Sequence, residues 1–129
     1  MMLEHLKALC QLNGISGRED AVQQYIIKQL ETWKLSYQVD PLGNILVKKD
    51  GQKPAKTKLM ISAHMDEVGG IVTYVHEDGT LQFEPVGGIQ PSVVIGRQVV
   101  VGENPGLPAV VGTTPVSYTH LTLPTILLV

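Results

Sequence analysis

The sequence predicts an α/β fold in which helices come first and the second half is all β. Three observations carry this. Two apolar runs with helical spacing occupy the first 33 residues, a hairpin signal and a short apolar run follow, and from Gly69 onward the chain breaks into short β-prone runs separated by Gly and Pro. Helix-rich first and β-rich second suggests two units, with a boundary near Gly69-Gly70. A length of 129 residues suits one ordinary domain, or a domain and part of another.

The first helix spans Leu3 to Leu12, with apolar residues at 3, 6, 9, 10 and 12, and stops at Asn13-Gly14, a common helix end. Cys10 shares a face with Leu3 and Leu6, so its expected role is that of a small buried hydrophobe. In S-G-R-E, Ser16 and Glu19 stand at capping-box spacing before the stripe Val22, Ile26, Ile27 and Leu30, which predicts a second helix from about Arg18 to Thr32. Leu35, Tyr37 and Val39 alternate with polar residues, D-P-L-G-N makes a turn, and Ile45 to Val47 complete a hairpin. The run L-M-I-S-A, residues 59–63, reads as a strand buried on both faces of a sheet covered by helices. In the second half, strands are expected at Ile71 to Val75, Leu81 to Phe83, Val93 to Ile95 and Val99 to Val101.

The bulk composition is that of a globular protein, 43% hydrophobic and 17% charged. A net charge of −2 gives no electrostatic reason to expect nucleic acid or an anionic membrane as partner. Apolar stretches are broken well before the roughly 18 residues needed to span a bilayer, and the start M-M-L-E-H-L-K is charged and helical rather than a signal peptide. A single cysteine cannot form an internal disulfide, in agreement with a cytoplasmic location.

The chemistry gathers where the apolar run ends, at I-S-A-H-M-D-E-V-G-G. On a strand, residues two apart face the same side, so His64 and Asp66 point together while Met65 and Glu67 point away. Ligands collect at the carboxyl ends of strands in α/β sheets, and H-x-D sits there. A neutral imidazole is a good ligand for a divalent metal, and a neighbouring carboxylate can hold its other nitrogen in the right tautomer. On spacing alone the pair is equally a structural His–Asp contact at a strand end. Glu19 reads as a helix cap, and His5 and His76 read as solvated, His76 preceding the turn E-D-G-T.

S-A-H-M-D-E-V-G, together with S-G-R-E-D before a helix, D-P-L-G-N-I in a hairpin and P-V-G-G on a later strand, resembles the amino-terminal part of the M42 family of metallo-aminopeptidases, which includes glutamyl and tetrahedral aminopeptidases. The similarity runs from about Leu3 to Pro115. It implies that residues 1–68 are the first part of a three-layer αβα catalytic domain and residues 69–115 the start of an inserted β-barrel-like domain used in subunit assembly. It implies His64 as a metal ligand and Asp66, counted with the catalytic residues, as the acid that orients it. The implied reaction releases amino acids from the amino termini of peptides at two divalent ions, zinc or cobalt, with a glutamate as general base. The remaining ligands and the base would come from later in the catalytic domain, so this chain is expected to be inactive and to bind no metal tightly. A full-length parent would be a homo-oligomer.

Residues 116–129 differ from the rest, lacking Asp, Glu, Lys, Arg and Gly. V-S-Y-T-H-L-T-L-P-T, residues 116–125, resembles the translated read-through of a transposon adapter used in sequencing libraries. The tail is therefore expected to be non-native and is set aside from functional reasoning, His120 with it. The alternative is a hydrophobic carboxy-terminal strand of the β module.

Two other functions compete with the aminopeptidase. A non-catalytic binding or assembly module would use the β segment for contacts and leave H-M-D structural. A glycosidase would need two carboxylates placed across a sugar ring, and the adjacent Asp66 and Glu67 on opposite strand faces do not make such a pair.

Overall fold

The computed structural model describes residues 2–53, 56–103, 105–113 and 125–128, and the chain divides into two compact units, Met1–Glu67 and Val68–Val129. The fold is α/β. Helix α1 (Met2–Leu9) and helix α2 (Asp20–Thr32) lead into a two-stranded antiparallel ribbon of β1 (Tyr37–Val39) and β2 (Ile45–Val47). Val22 and Leu30, two turns apart on α2, are the buried apolar side chains among the described residues of this unit.

Local chemistry fixes each junction of the first unit. Helix α2 ends in a Schellman arrangement, with Leu35 N–H donating to Leu30 O and Lys34 N–H to Glu31 O, and Lys34 takes the left-handed conformation at φ 54° that glycine usually fills. In the ribbon turn the Asp40 carboxylate accepts from Leu42 N–H, Asn44 N–H and Asn44 Nδ2, while Gln23 Nε2 donates to Gly43 O and ties the turn to α2. Those bonds hold the Asp40 carboxyl below its ordinary pKa, the Asn44 side chain contributing most.

The second unit is a five-stranded antiparallel sheet in the order β3 (Gly69–Val75), β4 (Thr80–Val86), β7 (Thr125–Leu128), β6 (Leu107–Gly112) and β5 (Gln98–Val101). Leu81 and Phe83 alternate inward from β4, and Ala109 and Val111 do so from β6; all four are between 2% and 5% exposed. Fully burying a Leu or Phe contributes about 1.5–3 kcal/mol, so these four residues anchor the sheet. Glycine at position 70 lets the Phe83 ring lie across β3, since a Cβ there would come within 2.5 Å of Phe83 Cδ2.

Several expectations are corrected. Residues 59–63 form no strand, and Leu59, Met60 and Ile61 are 86–88% exposed. A strand needs a neighbour to take up its backbone groups, and among the described residues none pairs with this run. Val93 to Ile95 are not a strand either: Pro91–Val94 form one helical turn, α3, because Pro91 presets the helical φ at the first position and Gly96, at φ 75°, ends it. Val94 packs onto the sheet core while Val93 and Ile95 stay exposed.

Cys10 is exposed, as are Leu3 and Leu6, since α1 buries no residue. The first helix stops at Leu9, with Gln11 N–H on Ala8 O and Leu12 N–H on Leu9 O closing its end in tighter turns. His5 is not simply solvated. Its Nδ1 lies 2.8 Å from the Tyr25 hydroxyl and its ring meets Trp33 edge-on at 5.7 Å. His76 meets the Tyr74 ring edge-on at 4.7 Å. Strand β6 carried no separate expectation. Within the tail Thr125–Leu128 form β7, while residues 116–124 and 129 lie outside the described residues. Among the described residues no helix is long and apolar enough to cross a membrane.

Candidate functional site

The run that ends at His64 is irregular, yet the two candidate residues meet. His64 Nδ1 lies 2.9 Å from the Asp66 main-chain carbonyl oxygen and 3.1 Å from Asp66 Oδ1. Two acceptors on one nitrogen favour the tautomer with the proton on Nδ1, which leaves Nε2 with a free lone pair. The imidazole is 85% exposed and the Asp66 carboxylate 39%. Both belong to an open cleft in the first unit, lined also by Gly17, by Asp20 at the start of α2 and by the ribbon.

Asp66 is anchored from the other side. Ser16 Oγ donates to Asp66 Oδ2 at 2.5 Å, and this bond is the main reason the Asp66 carboxyl sits below its ordinary pKa; desolvation opposes it, and its own main chain and His64 add smaller downward effects. Ser16 therefore does not cap α2. Glu19 stands at the N-cap position without a side-chain cap bond; its carboxylate accepts from Gly17 N–H at 2.7 Å. The capping-box reading failed because a serine hydroxyl ahead of a helix serves equally well as donor to a carboxylate 50 residues away, and local sequence does not distinguish the two.

Glu67 is bonded to the loop ahead of α2. Its Oε1 accepts from Gly14 N–H at 3.2 Å, its own N–H donates to Gly14 O at 2.7 Å, and Ile15 and Glu67 form a parallel bridge. Gly14 is buried there, and a Cβ on it would stand 2.8 Å from Val22 Cγ2 and 3.5 Å from Met65 O. Spacing had marked Gly14 only as a helix end, whereas the fold uses it for close approach of two segments. With Asp66 bonded to Ser16 and His64 and Glu67 bonded to Gly14, the two acids are committed to different partners, which disfavours the glycosidase reading. Among the described residues no group of three or more His, Cys, Asp or Glu side chains is placed to hold a metal ion; the donor set near His64 amounts to its Nε2.

The chain belongs to the M42 glutamyl aminopeptidase family, whose model matches residues 43–124. It is 33% identical over 116 residues to a glutamyl aminopeptidase of Lactococcus lactis, covering 88% of this chain and 33% of that protein. Among solved structures it resembles an aminopeptidase from the archaeon Desulfurococcus kamchatkensis, with a TM-score of 0.83, 30% identity, and coverage of 97% of this chain and 36% of the other. It also resembles a TET peptidase of Pyrococcus horikoshii described as assembling into a tetrahedron or a large octahedral shell, with a TM-score of 0.72, 35% identity, and coverage of 94% and 35%. The chain spans about a third of the length of the curated relatives it matches.

Proposed function

We propose that this chain supplies the first metal-ligand position of a cytoplasmic aminopeptidase that removes amino-terminal residues from peptides, with His64 as ligand and Asp66 as the carboxylate that orients it. The observation that carries the reading is the pair of contacts from His64 Nδ1 to Asp66, which leaves Nε2 as an exposed donor in the cleft. Two divalent ions, zinc or cobalt, would supply Lewis acidity and an activated water in the full-length protein. Of this chain's residues, His64 offers one nitrogen, and Asp66 holds the proton on the other.

In this reading Met1–Glu67 corresponds to the beginning of a three-layer αβα catalytic domain. Val68–Val129 corresponds to the start of the inserted barrel-like domain, and homo-oligomerisation belongs to the full-length protein. Residues 116–129 are read as a non-native tail. One nitrogen donor is too few for a tight site, so the chain by itself binds metal weakly and is inactive.

The test is hydrolysis of aminoacyl p-nitroanilides by the full-length gene product, with and without chelator, alongside its metal content. Chelator-sensitive release, lost by more than about a hundredfold in His64→Ala, is the expected result. Hydrolysis that is absent or indifferent to chelator would overturn the proposal and favour a binding or assembly module.

A further inference from the structure

The loop between α1 and α2 is fastened to the His64–Asp66 stretch through main chain and side chain together. Gly14 and Glu67 exchange two hydrogen bonds, Ile15 bridges Glu67, and Arg18 N–H closes a turn onto Ile15 O at 2.8 Å. Glu19 Oε1 holds Gly17 N–H on the far side. Ser16 is thus set between anchored residues, and its hydroxyl has one described partner, Asp66 Oδ2.

That geometry matters because a carboxylate has two oxygens and a broad side-chain torsion. With Oδ2 held by Ser16, Oδ1 stays beside His64 Nδ1, next to the Asp66 carbonyl that faces the same nitrogen. Without the hydroxyl, the carboxylate of an exposed pair can turn to water, and only the carbonyl contact continues to favour a proton on Nδ1.

We propose that Ser16 is a positioning residue for His64: its hydroxyl fixes the Asp66 carboxylate so that the imidazole keeps its proton on Nδ1 and presents Nε2 as the donor. The importance of that donor rests on the reading of His64 as a ligand, but the tautomer itself does not. The S-G-R-E loop thereby becomes a part of the site contributed from 50 residues away.

The test uses the 129-residue chain without metal, with ¹⁵N-labelled histidine rings observed by NMR at a pH where imidazole is neutral. The parent should show His64 mainly as the Nδ1–H tautomer. Ser16→Ala should lower the ratio of Nδ1–H to Nε2–H by about two- to tenfold, the effect of one net hydrogen bond. Ser16→Thr, which keeps the hydroxyl, should restore it. The Glu67 amide signal, bonded to Gly14 O, reports whether the loop remains seated. Should Ser16→Ala fail to fold, Ser16→Cys, of similar size and a weak donor, is judged by the same ratio.

An unchanged ratio in a folded variant overturns the proposal, and so does a ratio that Thr fails to restore. Because no metal or substrate enters the measurement, its failure is separate from failure of the aminopeptidase reading, which is decided by chelator-sensitive hydrolysis.

Discussion

Replacing Gly14 by alanine tests how the loop ahead of α2 is held against the site. The backbone at Gly14 is not in the left-handed region, so the added methyl is a question of volume alone. Its Cβ would stand 2.8 Å from Val22 Cγ2, where carbon atoms prefer about 3.5–4.0 Å. The loop cannot retreat freely, because its main chain is bonded to Glu67, and Val22 is buried in α2. Overpacking of this kind costs about 1–3 kcal/mol. Against it stands about 0.4–1 kcal/mol gained by restricting the unfolded chain. The net destabilisation is about 0.5–2 kcal/mol, a fall of roughly half a molar in urea midpoint for an ordinary slope. Urea unfolding of the parent, Gly14→Ala, Val22→Ala and the double variant measures it. Shortening Val22 removes the clashing methyl, so the same glycine change should become neutral in that background, with a coupling of at least about 0.5 kcal/mol. Equal cost in both backgrounds, or no cost in the parent, would refute the packing argument.

Two further outcomes follow from the first unit. Lys34→Gly should raise stability by up to about 1 kcal/mol in thermal or urea unfolding, because Lys34 occupies a left-handed position that costs a side chain about 1–2 kcal/mol and glycine gives back part of that in chain entropy. Asp40, whose folded pKa is lowered chiefly by Asn44, lends stability that is complete above the unfolded carboxylate pKa of about 3.9 and is lost as pH falls through the lower folded value. The urea midpoint should therefore drop between pH 5 and pH 2, and Asp40→Asn should flatten the drop; a parent midpoint that is level over this range would contradict the assignment.

The local patterns visible in the sequence were those that single elements can satisfy alone. Helix α2 follows its apolar stripe, the D-P-L-G-N turn follows from Asp40 and the glycine, and β3, β4 and β5 follow β-prone runs between breakers. His64 and Asp66 also meet, as their spacing of two suggested, although residues 59–66 form no strand.

Properties that depend on a neighbour were decided by tertiary structure. The run L-M-I-S-A has the composition of a buried strand, but burial is conferred by adjacent strands and covering helices, and the described residues provide neither. V-V-I at 93–95 has high β propensity, and a proline and a glycine at its ends turn it into a helical turn whose Val94 caps the sheet core. Cys10 keeps helical register with Leu3 and Leu6, yet register assigns a face without supplying anything to cover it. Ser16 and Gly14 stand furthest from what sequence determines, because a hydroxyl bonded to Asp66 and a glycine pressed against Val22 are contacts across the fold. Sequence determined which residues could do the chemistry; the packing of the α1–α2 loop against residues 65–67 decided how their side chains are held, since hydrogen bonds and steric contacts act through space and local pattern records only neighbours along the chain.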